Sequence, residues 1–121
     1  MRVLVTGTST GIGRATALLF LERGHDVVGF DVAGSSIDCP GYTHLAVDVR
    51  RPQDFPDGIK PEVIVNNAGT QDAGDDLGVN LLGTINVTEF YAFGRRDERR
   101  CAVAGSGAQA LLAKPEPQVR A

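Results

Sequence analysis

The sequence predicts an α/β fold in which about four parallel strands form a doubly wound sheet. Short apolar runs at 3–5, 27–30, 42–47 and 63–65 have the length and β-branched content of buried strands. Apolar residues recur at helical spacing after the first and the fourth of these runs. Short links between elements in this order favour parallel strands with right-handed crossovers.

The first run leads into a glycine turn. Gly7, Gly11 and Gly13 separate the strand from a helix predicted over 11–23, which Gly24 ends. Such a turn aims the N–H groups and the positive dipole end of a helix beyond the strand, which favours an anion such as a dinucleotide pyrophosphate. A tight strand-to-helix turn without a ligand is the alternative.

Three further polar residues end predicted strands. Asp31 follows Gly13 by eighteen residues, where a dinucleotide-binding fold needs a carboxylate for the adenosine ribose hydroxyls; a solvated aspartate is the alternative. Asp48 and Asn66 end the third and fourth strands. Ligands of parallel sheets bind beyond the carboxyl ends of the strands, so we expect one site there. For Asn66 and its neighbour Asn67, hydrogen bonding without a ligand also remains open.

The connections are less regular than the strands. Residues 32–41 have the composition of a loop, and Pro52 and Pro56 allow at most a short helix after the third strand. A helix follows the fourth strand, with Asp75 or Asp76 as its cap. Its apolar face comprises Leu77, Leu81 and Ile85.

The composition argues against several classes of function. The length of 121 residues suits a single domain. The net charge of −3 gives no reason to expect nucleic acid as a partner. The longest apolar run, 17–21, is too short to span a membrane, and a strand at the start leaves no room for a signal peptide. Cys39 and Cys101 lack metal-ligand spacing, so we expect no metal site and free thiols in a reducing cytoplasm.

Four motifs, in order, resemble those of the short-chain dehydrogenase/reductase family. They are Thr6-Gly7-x-x-x-Gly11-Ile12-Gly13, Asp48-Val49, Asn66-Asn67-Ala68-Gly69 and Gly78-Val79-Asn80-Leu81-Leu82-Gly83. The resemblance covers residues 1–93 and implies a Rossmann-type, NAD-binding half-fold of an oxidoreductase that transfers hydride between NAD and an alcohol or ketone. The cofactor-binding residues that it implies are Gly7, Ser9, Thr10, Gly11, Ile12, Gly13, Asp31, Asp48, Val49, Asn66, Ala68 and Gly69.

The resemblance also implies a preference between cofactors. Asp31 would bind the ribose hydroxyls and repel a 2′-phosphate, while Asp48 and Val49 would flank the adenine. Family members that prefer NADP usually carry a basic residue at the positions of Thr10 or Val32. We therefore expect NAD as the preferred cofactor, together with a small-molecule substrate that the sequence does not specify.

The catalytic residues of the family are largely missing. The family uses a tyrosine as general acid/base, a lysine four residues later and a serine on a preceding strand end. Neither Tyr42 nor Tyr91 is followed by lysine at that spacing, and a tyrosine without a nearby cation is a poor base at neutral pH. Only Asn80 matches a catalytic position, where the family's asparagine supports a proton relay; a solvent-facing residue is the alternative. We expect Tyr91 to be a packing aromatic.

From residue 94 onward the sequence no longer resembles the family. An arginine-rich run precedes an Ala/Gly-rich stretch and two prolines, and this composition predicts a mostly disordered tail with at most a remnant strand at 101–104. Our hypothesis for the abrupt change is that the reading frame was lost near residue 93. A sheet that ends at the fourth strand would leave an open edge, and the Asn80 helix would offer an apolar patch for a homo-oligomer. Two functions remain: an NAD-dependent oxidoreductase by descent, or a non-catalytic dinucleotide-binding module or inactive truncated product.

Overall fold

One parallel sheet organises the protein. The computed structural model describes residues 1–69, 77–94 and 101–105, and in them the strand order is β3-β2-β1-β4-β5. The strands are β1 (Arg2–Thr6), β2 (Asp26–Phe30), β3 (Tyr42–Leu45), β4 (Val63–Asn66) and β5 (Ala102–Gly105). The strand order reverses between β1 and β4. The predicted doubly wound α/β fold is therefore confirmed.

The helical segments follow the predicted order. Helix α1 (Gly11–Glu22) links β1 to β2, and Gly24 follows it with a φ of +88°, a backbone conformation that favours glycine. A single 3₁₀ turn, Pro52–Asp54, lies between β3 and β4. After β4 the chain is helical over 77–93, as a π-helical stretch (Leu77–Leu82), helix α2 (Gly83–Thr88) and a second π-helical stretch (Glu89–Phe93). The predicted cap at Asp75 or Asp76 lies outside the described residues.

The number of strands differs from the prediction. β5 pairs in parallel with β4, from Val63↔Ala102 to Asn66↔Gly105, so β4 is not an edge strand. The expected open edge along β4 was wrong, and the segment considered a remnant strand forms the fifth strand. The sequence gives little indication of β5, because its four small residues show no clear alternation of polar and apolar side chains. The strand is instead defined by its backbone pairing with β4. The remaining tail residues, 95–100 and 106–121, lie outside the described residues, so their predicted disorder stays a prediction.

Two apolar layers cover the sheet, because alternate residues of β1 point to opposite faces. Val3 and Val5 pack with Ala17 of α1 on one face. Leu4 packs on the other face with a layer that includes Tyr91. Val3, Leu4 and Val5 are all fully buried. The central strand is thus fixed from both sides, and this fixes the direction in which its carboxyl end points.

The 77–93 segment turns small and polar residues, as well as apolar ones, towards the sheet. Its buried residues are Gly83, Thr84, Val87, Thr88 and Tyr91. Leu81 and Leu82 remain about half exposed. Of the predicted apolar face, Leu81 is exposed and Ile85 is partly buried, while the side chain of Leu77 lies outside what the structure describes. The apolar patch and its use in a homo-oligomer therefore stay predictions.

Tyr91 is a core aromatic, as its helical position suggested. Its ring packs against Phe90, Phe55 and Phe30, with centroid distances of 4.7, 5.8 and 5.9 Å. Its hydroxyl donates a 2.7 Å hydrogen bond to the carbonyl oxygen of Pro56. Burial, with a smaller effect from Asp57, raises the pKa of the Tyr91 phenol well above its usual value.

The buried phenol predicts a loss of stability in alkali. Because the folded-state pKa of Tyr91 is raised, its stabilising effect is complete below the unfolded-state pKa near 10 and is lost as the pH rises further. We expect this group to lower the free energy of unfolding by up to about 1.4 kcal/mol per pH unit above pH 10. Tyr91→Phe should unfold more easily at neutral pH, by about 1 kcal/mol, but with a shallower alkaline slope. Urea unfolding at a series of pH values tests this, and equal slopes in the two proteins would contradict it.

Candidate functional site

The carboxyl ends of four strands enclose one cleft of about 520 Å³. The segments that follow β1, β2, β3 and β4 all contribute residues to it. The lining residues are Gly7, Thr10, Gly11, Ile12, Phe30, Asp31, Val32, Val47, Asp48, Val49, Arg50, Asn67, Ala68 and Gly69. The expected convergence of the strand ends is therefore observed. The structure thus supplies a concave site where the sequence predicted one.

The glycine turn requires its glycines for two different reasons. Gly7 and Gly11 adopt φ values of +77° and +60°, a region that disfavours side chains. A Cβ on Gly13 would overlap the carbonyl oxygen of Gly7 and lie 2.5 Å from the side-chain nitrogen of Asn67. The start of α1 therefore packs directly on the backbone that leaves β1.

The start of α1 carries no competing acceptor within the described residues. Thr10 precedes the helix in an extended conformation without a side-chain cap, and the first turn contains no acidic residue. Its N–H groups and the positive end of the helix dipole therefore meet no side-chain carboxylate of that turn. Thr10, Gly11 and Ile12 all line the cleft, and Ile12 is 77% exposed. This end of the cleft suits an anion.

Asp31 is held by two backbone amides. The N–H of Ser9 donates to Oδ2 of Asp31 at 2.9 Å, and the N–H of Ala33 donates to Oδ1 at 2.9 Å. Each carboxylate oxygen can accept a second hydrogen bond, so the group retains acceptor capacity towards the cleft that it lines. The structure thus places a fixed negative charge beside the glycine turn.

The loop after β2 is bonded to the same turn. The hydroxyl of Ser9 donates to the carbonyl oxygen of Gly34 at 2.8 Å, and the hydroxyl of Ser36 donates to the carbonyl oxygen of Ser9 at 2.7 Å. Arg14, on α1, donates to the hydroxyl of Ser36 at 3.1 Å. Ser9 therefore lies behind the lining of the cleft, where it joins two loops.

Asp48 has a cationic partner that the sequence analysis did not identify. Arg50 donates to both carboxylate oxygens of Asp48, at 2.7 Å for the shortest contact, and both residues line the cleft. Hydrogen bonding from Arg50 lowers the pKa of the Asp48 carboxyl. The available signal in the sequence was an arginine two residues after Asp48. The neighbouring Val49 is buried, and its carbonyl oxygen accepts from the side chain of Asn86 at 3.0 Å.

The end of β4 is attached to the end of β1. The hydroxyl oxygen of Thr6 accepts the N–H groups of Asn67 and Ala68 at 3.0 and 2.9 Å. Asn67, Ala68 and Gly69 then line the cleft, but Asn66 does not. Instead Asn66 is buried, and its side chain donates to the hydroxyl of Thr88 at 3.0 Å. The pleat turns this side chain towards the helical segment, and the predicted part of Asn66 in cofactor binding stays a prediction.

Asn80 lies beside the β4 end of the cleft. A Cβ on Gly69 would come within 2.7 Å of Oδ1 of Asn80, so the two residues are in close proximity. Asn80 is exposed, and its carbonyl oxygen accepts from the hydroxyl of Thr84 at 2.9 Å. Its proton-relay role stays a prediction.

Neither a membrane-spanning helix nor a cluster of metal ligands is found in the described ranges. None of the helices there is long and apolar enough to span a bilayer. No three His, Cys, Asp or Glu side chains in the same ranges lie together as a metal ion would need.

The comparisons with known proteins point to one family, although no family model matches the chain. The 3-oxoacyl-[acyl-carrier-protein] reductase of Thermotoga maritima is 32% identical over 115 residues, which cover 72% of this chain and 47% of that protein. The Bordetella bronchiseptica enzyme WbmH, solved in complex with NAD+, is 30% identical with a TM-score of 0.61, covering 73% of this chain and 33% of that one. Serine dehydrogenase from Escherichia coli shares the fold with a TM-score of 0.74 at 20% identity, covering 87% and 61%.

The fold and the strand-end cleft define the class of protein as a Rossmann-like α/β domain. The comparisons are more specific: the curated proteins to which the chain is similar include short-chain dehydrogenases and reductases, the family that its four motifs resemble. It spans about half the length of the curated relatives that it matches.

The packing of the glycine turn predicts that Gly13 does not tolerate a side chain. Gly13→Ala places a Cβ against the Gly7 carbonyl, and we expect it to lower the free energy of unfolding by about 1–3 kcal/mol. Gly34→Ala is the matched control, because a Cβ there meets no atom within 4 Å, and it should change stability by less than about 0.5 kcal/mol. Urea unfolding of both variants measures the difference. Equal effects at the two positions would show that the turn is not packed as described.

Proposed function

We propose that this chain binds a nicotinamide dinucleotide in the strand-end cleft, prefers NAD(H) over NADP(H), and represents the cofactor-binding part of an alcohol or ketone oxidoreductase. The observation that carries the proposal is the Asp31 carboxylate, which lines the cleft beside the uncapped start of α1. These two features have opposite charge preferences. A ligand that combines a pyrophosphate with a ribose diol satisfies both.

The pyrophosphate would lie at the start of α1. The N–H groups of that first turn and the helix dipole favour an anion, and the absence of a Cβ on Gly11 gives close access to the backbone. Gly7 and Thr10 complete this part of the lining. Binding there needs no cationic side chain, because the backbone supplies the donors.

The adenosine would lie across the ends of β2 and β3. Asp31 accepts from the ribose hydroxyls through the acceptor capacity that its two amide bonds leave, while Asp48 and Val49 flank the adenine. A 2′-phosphate would bring negative charge against the Asp31 carboxylate, which favours NAD(H). The WbmH complex with NAD+ supports a nicotinamide dinucleotide as ligand in a related protein.

The chemistry of hydride transfer needs a general acid/base, and the tyrosines of this chain are poorly suited to that role. The hydroxyl of Tyr91 is bonded to Pro56, and that of Tyr42 to Thr8 and His44. Burial raises the pKa of both phenols, whereas an acid/base at neutral pH needs a lowered one. This observation favours a second candidate for the chain on its own: a dinucleotide-binding module without catalytic activity.

The role of Asp31 predicts a change in cofactor discrimination. Calorimetric titration should give saturable NADH binding to the wild-type chain, with NADPH weaker. Asp31→Asn removes the charge and one acceptor, so NADH affinity should fall about ten- to a hundredfold while NADPH affinity falls much less. Asp26→Asn is the matched control, since Asp26 lies at the opposite end of β2 and should leave both affinities unchanged.

Two results would contradict this account. If the folded wild-type chain binds neither cofactor, the cleft is not a dinucleotide site. If Asp31→Asn and Asp26→Asn behave alike, the cleft binds cofactor without the carboxylate that carries the proposal.

The state of the tyrosines predicts that cofactor binding occurs without turnover. We expect no oxidation of NADH above the background rate when the purified chain is mixed with a panel of ketones and aldehydes. Absorbance at the NADH band measures this. Turnover that Tyr42→Phe abolishes would make Tyr42 the acid/base and reject the second candidate.

A further inference from the structure

A chain of hydrogen bonds crosses β2 and β3 beneath the site. We call it the β3 relay, and its members are Thr8, Tyr42 and His44. The hydroxyls of Thr8 and Tyr42 are 2.8 Å apart, and the Tyr42 hydroxyl is 2.8 Å from Nδ1 of His44. Nε2 of His44 lies 2.9 Å from the carbonyl oxygen of Ala33. The relay thus runs from the glycine turn to the loop after β2.

The chemistry of its last member sets the direction of the relay. A carbonyl oxygen can only accept, so Nε2 of His44 donates to Ala33. In the neutral imidazole Nδ1 is then an acceptor, and the Tyr42 hydroxyl donates to it. The oxygen of Tyr42 is left to accept from the hydroxyl of Thr8. All three bonds are satisfied by one arrangement of protons.

The neighbouring strand leaves room for the relay at a single position. Gly29 lies in β2 and is buried; β2 pairs on one side with β3, which carries Tyr42, and on the other with β1, which leads into Thr8. A Cβ on Gly29 would come within 2.5 Å of the Thr8 hydroxyl and would overlap the hydroxyl of Tyr42. The tyrosine therefore reaches the glycine turn through the space that the missing side chain leaves.

Both ends of the relay are attached to the amides that hold Asp31. Thr8 precedes Ser9, whose N–H donates to Oδ2 of Asp31. At the other end Ala33, whose carbonyl oxygen accepts from His44, donates its own N–H to Oδ1. Both donors that orient the carboxylate are thereby tied to the Tyr42 hydroxyl.

We propose that Tyr42 and His44 are positioning residues that hold the Asp31 carboxylate in place and so set the discrimination between NAD(H) and NADP(H). This inference rests on the proposed function of the cleft. Neither residue lines the cleft, so both act through Ser9 and Ala33. When the relay is broken, the two amides are free to move, and the carboxylate is no longer held against the ribose.

The test compares variants of the two relay residues with matched substitutions of the one other tyrosine and the one other histidine in the chain. Tyr42→Phe and His44→Leu break the relay, whereas Tyr91→Phe and His25→Leu alter the chain's other tyrosine and other histidine. Loss of one bond should weaken NADH binding about three- to tenfold in the relay variants. NADPH binding should stay within about twofold, so that the ratio of the two affinities falls. The controls should keep the wild-type ratio. A ratio unchanged in both relay variants would overturn the proposal.

Amide hydrogen exchange provides a second readout that does not depend on cofactor. Exchange at Ser9 and Ala33 should be at least about fivefold faster in Tyr42→Phe than in the wild type, while Val65 in β4 should be unaffected. Equal exchange at Ser9 and Ala33 in the two proteins would refute the relay even if NADH binds. If the wild-type chain binds neither cofactor, the proposed function fails, and the exchange rates alone then decide whether the relay holds Asp31.

Discussion

The attachment of β1 to both of its neighbours at its carboxyl end is the constraint on which the site depends. On one side, the N–H of Gly7 donates to the carbonyl oxygen of Phe30 at 2.7 Å. On the other, the hydroxyl of Thr6 accepts two amides of the segment that leaves β4. The strands on either side of the point where the strand order reverses therefore end at the same level. A crevice opens there, as it does in other open parallel sheets.

The electrostatics of the cleft follow from this arrangement. The start of α1 presents backbone donors without a competing side-chain carboxylate in its first turn, and the negative charge of Asp31 lies at the neighbouring strand end, held by two amides. A second carboxylate, Asp48, is paired with Arg50 and keeps its charged form because that pairing lowers its pKa. The cleft is thus divided into a part that favours an anion and a part that accepts hydrogen bonds.

Much of this was predictable from sequence, because strand ends, glycines and strand-end carboxylates carry local signals. The strands β1 to β4, the glycine turn and the approach of Asp31 to it were all expected. β5 was not expected as a full strand, because its pairing depends on the backbone of β4 rather than on its own side chains. The side chain of Asn66 faces the helical segment and not the cleft, since the pleat decides this. The Thr8–Tyr42 contact joins residues 34 positions apart, so no local pattern revealed the β3 relay.

Amide chemical shifts of the isotopically labelled chain during an NADH titration test whether the four strand ends act as one binding site. We expect amides of the glycine turn, of Ala33, of Val49 and of Gly69 to shift together with a single affinity, because all four segments border one cleft. Shifts confined to one of these segments, or no saturable shifts in a folded chain, would contradict it.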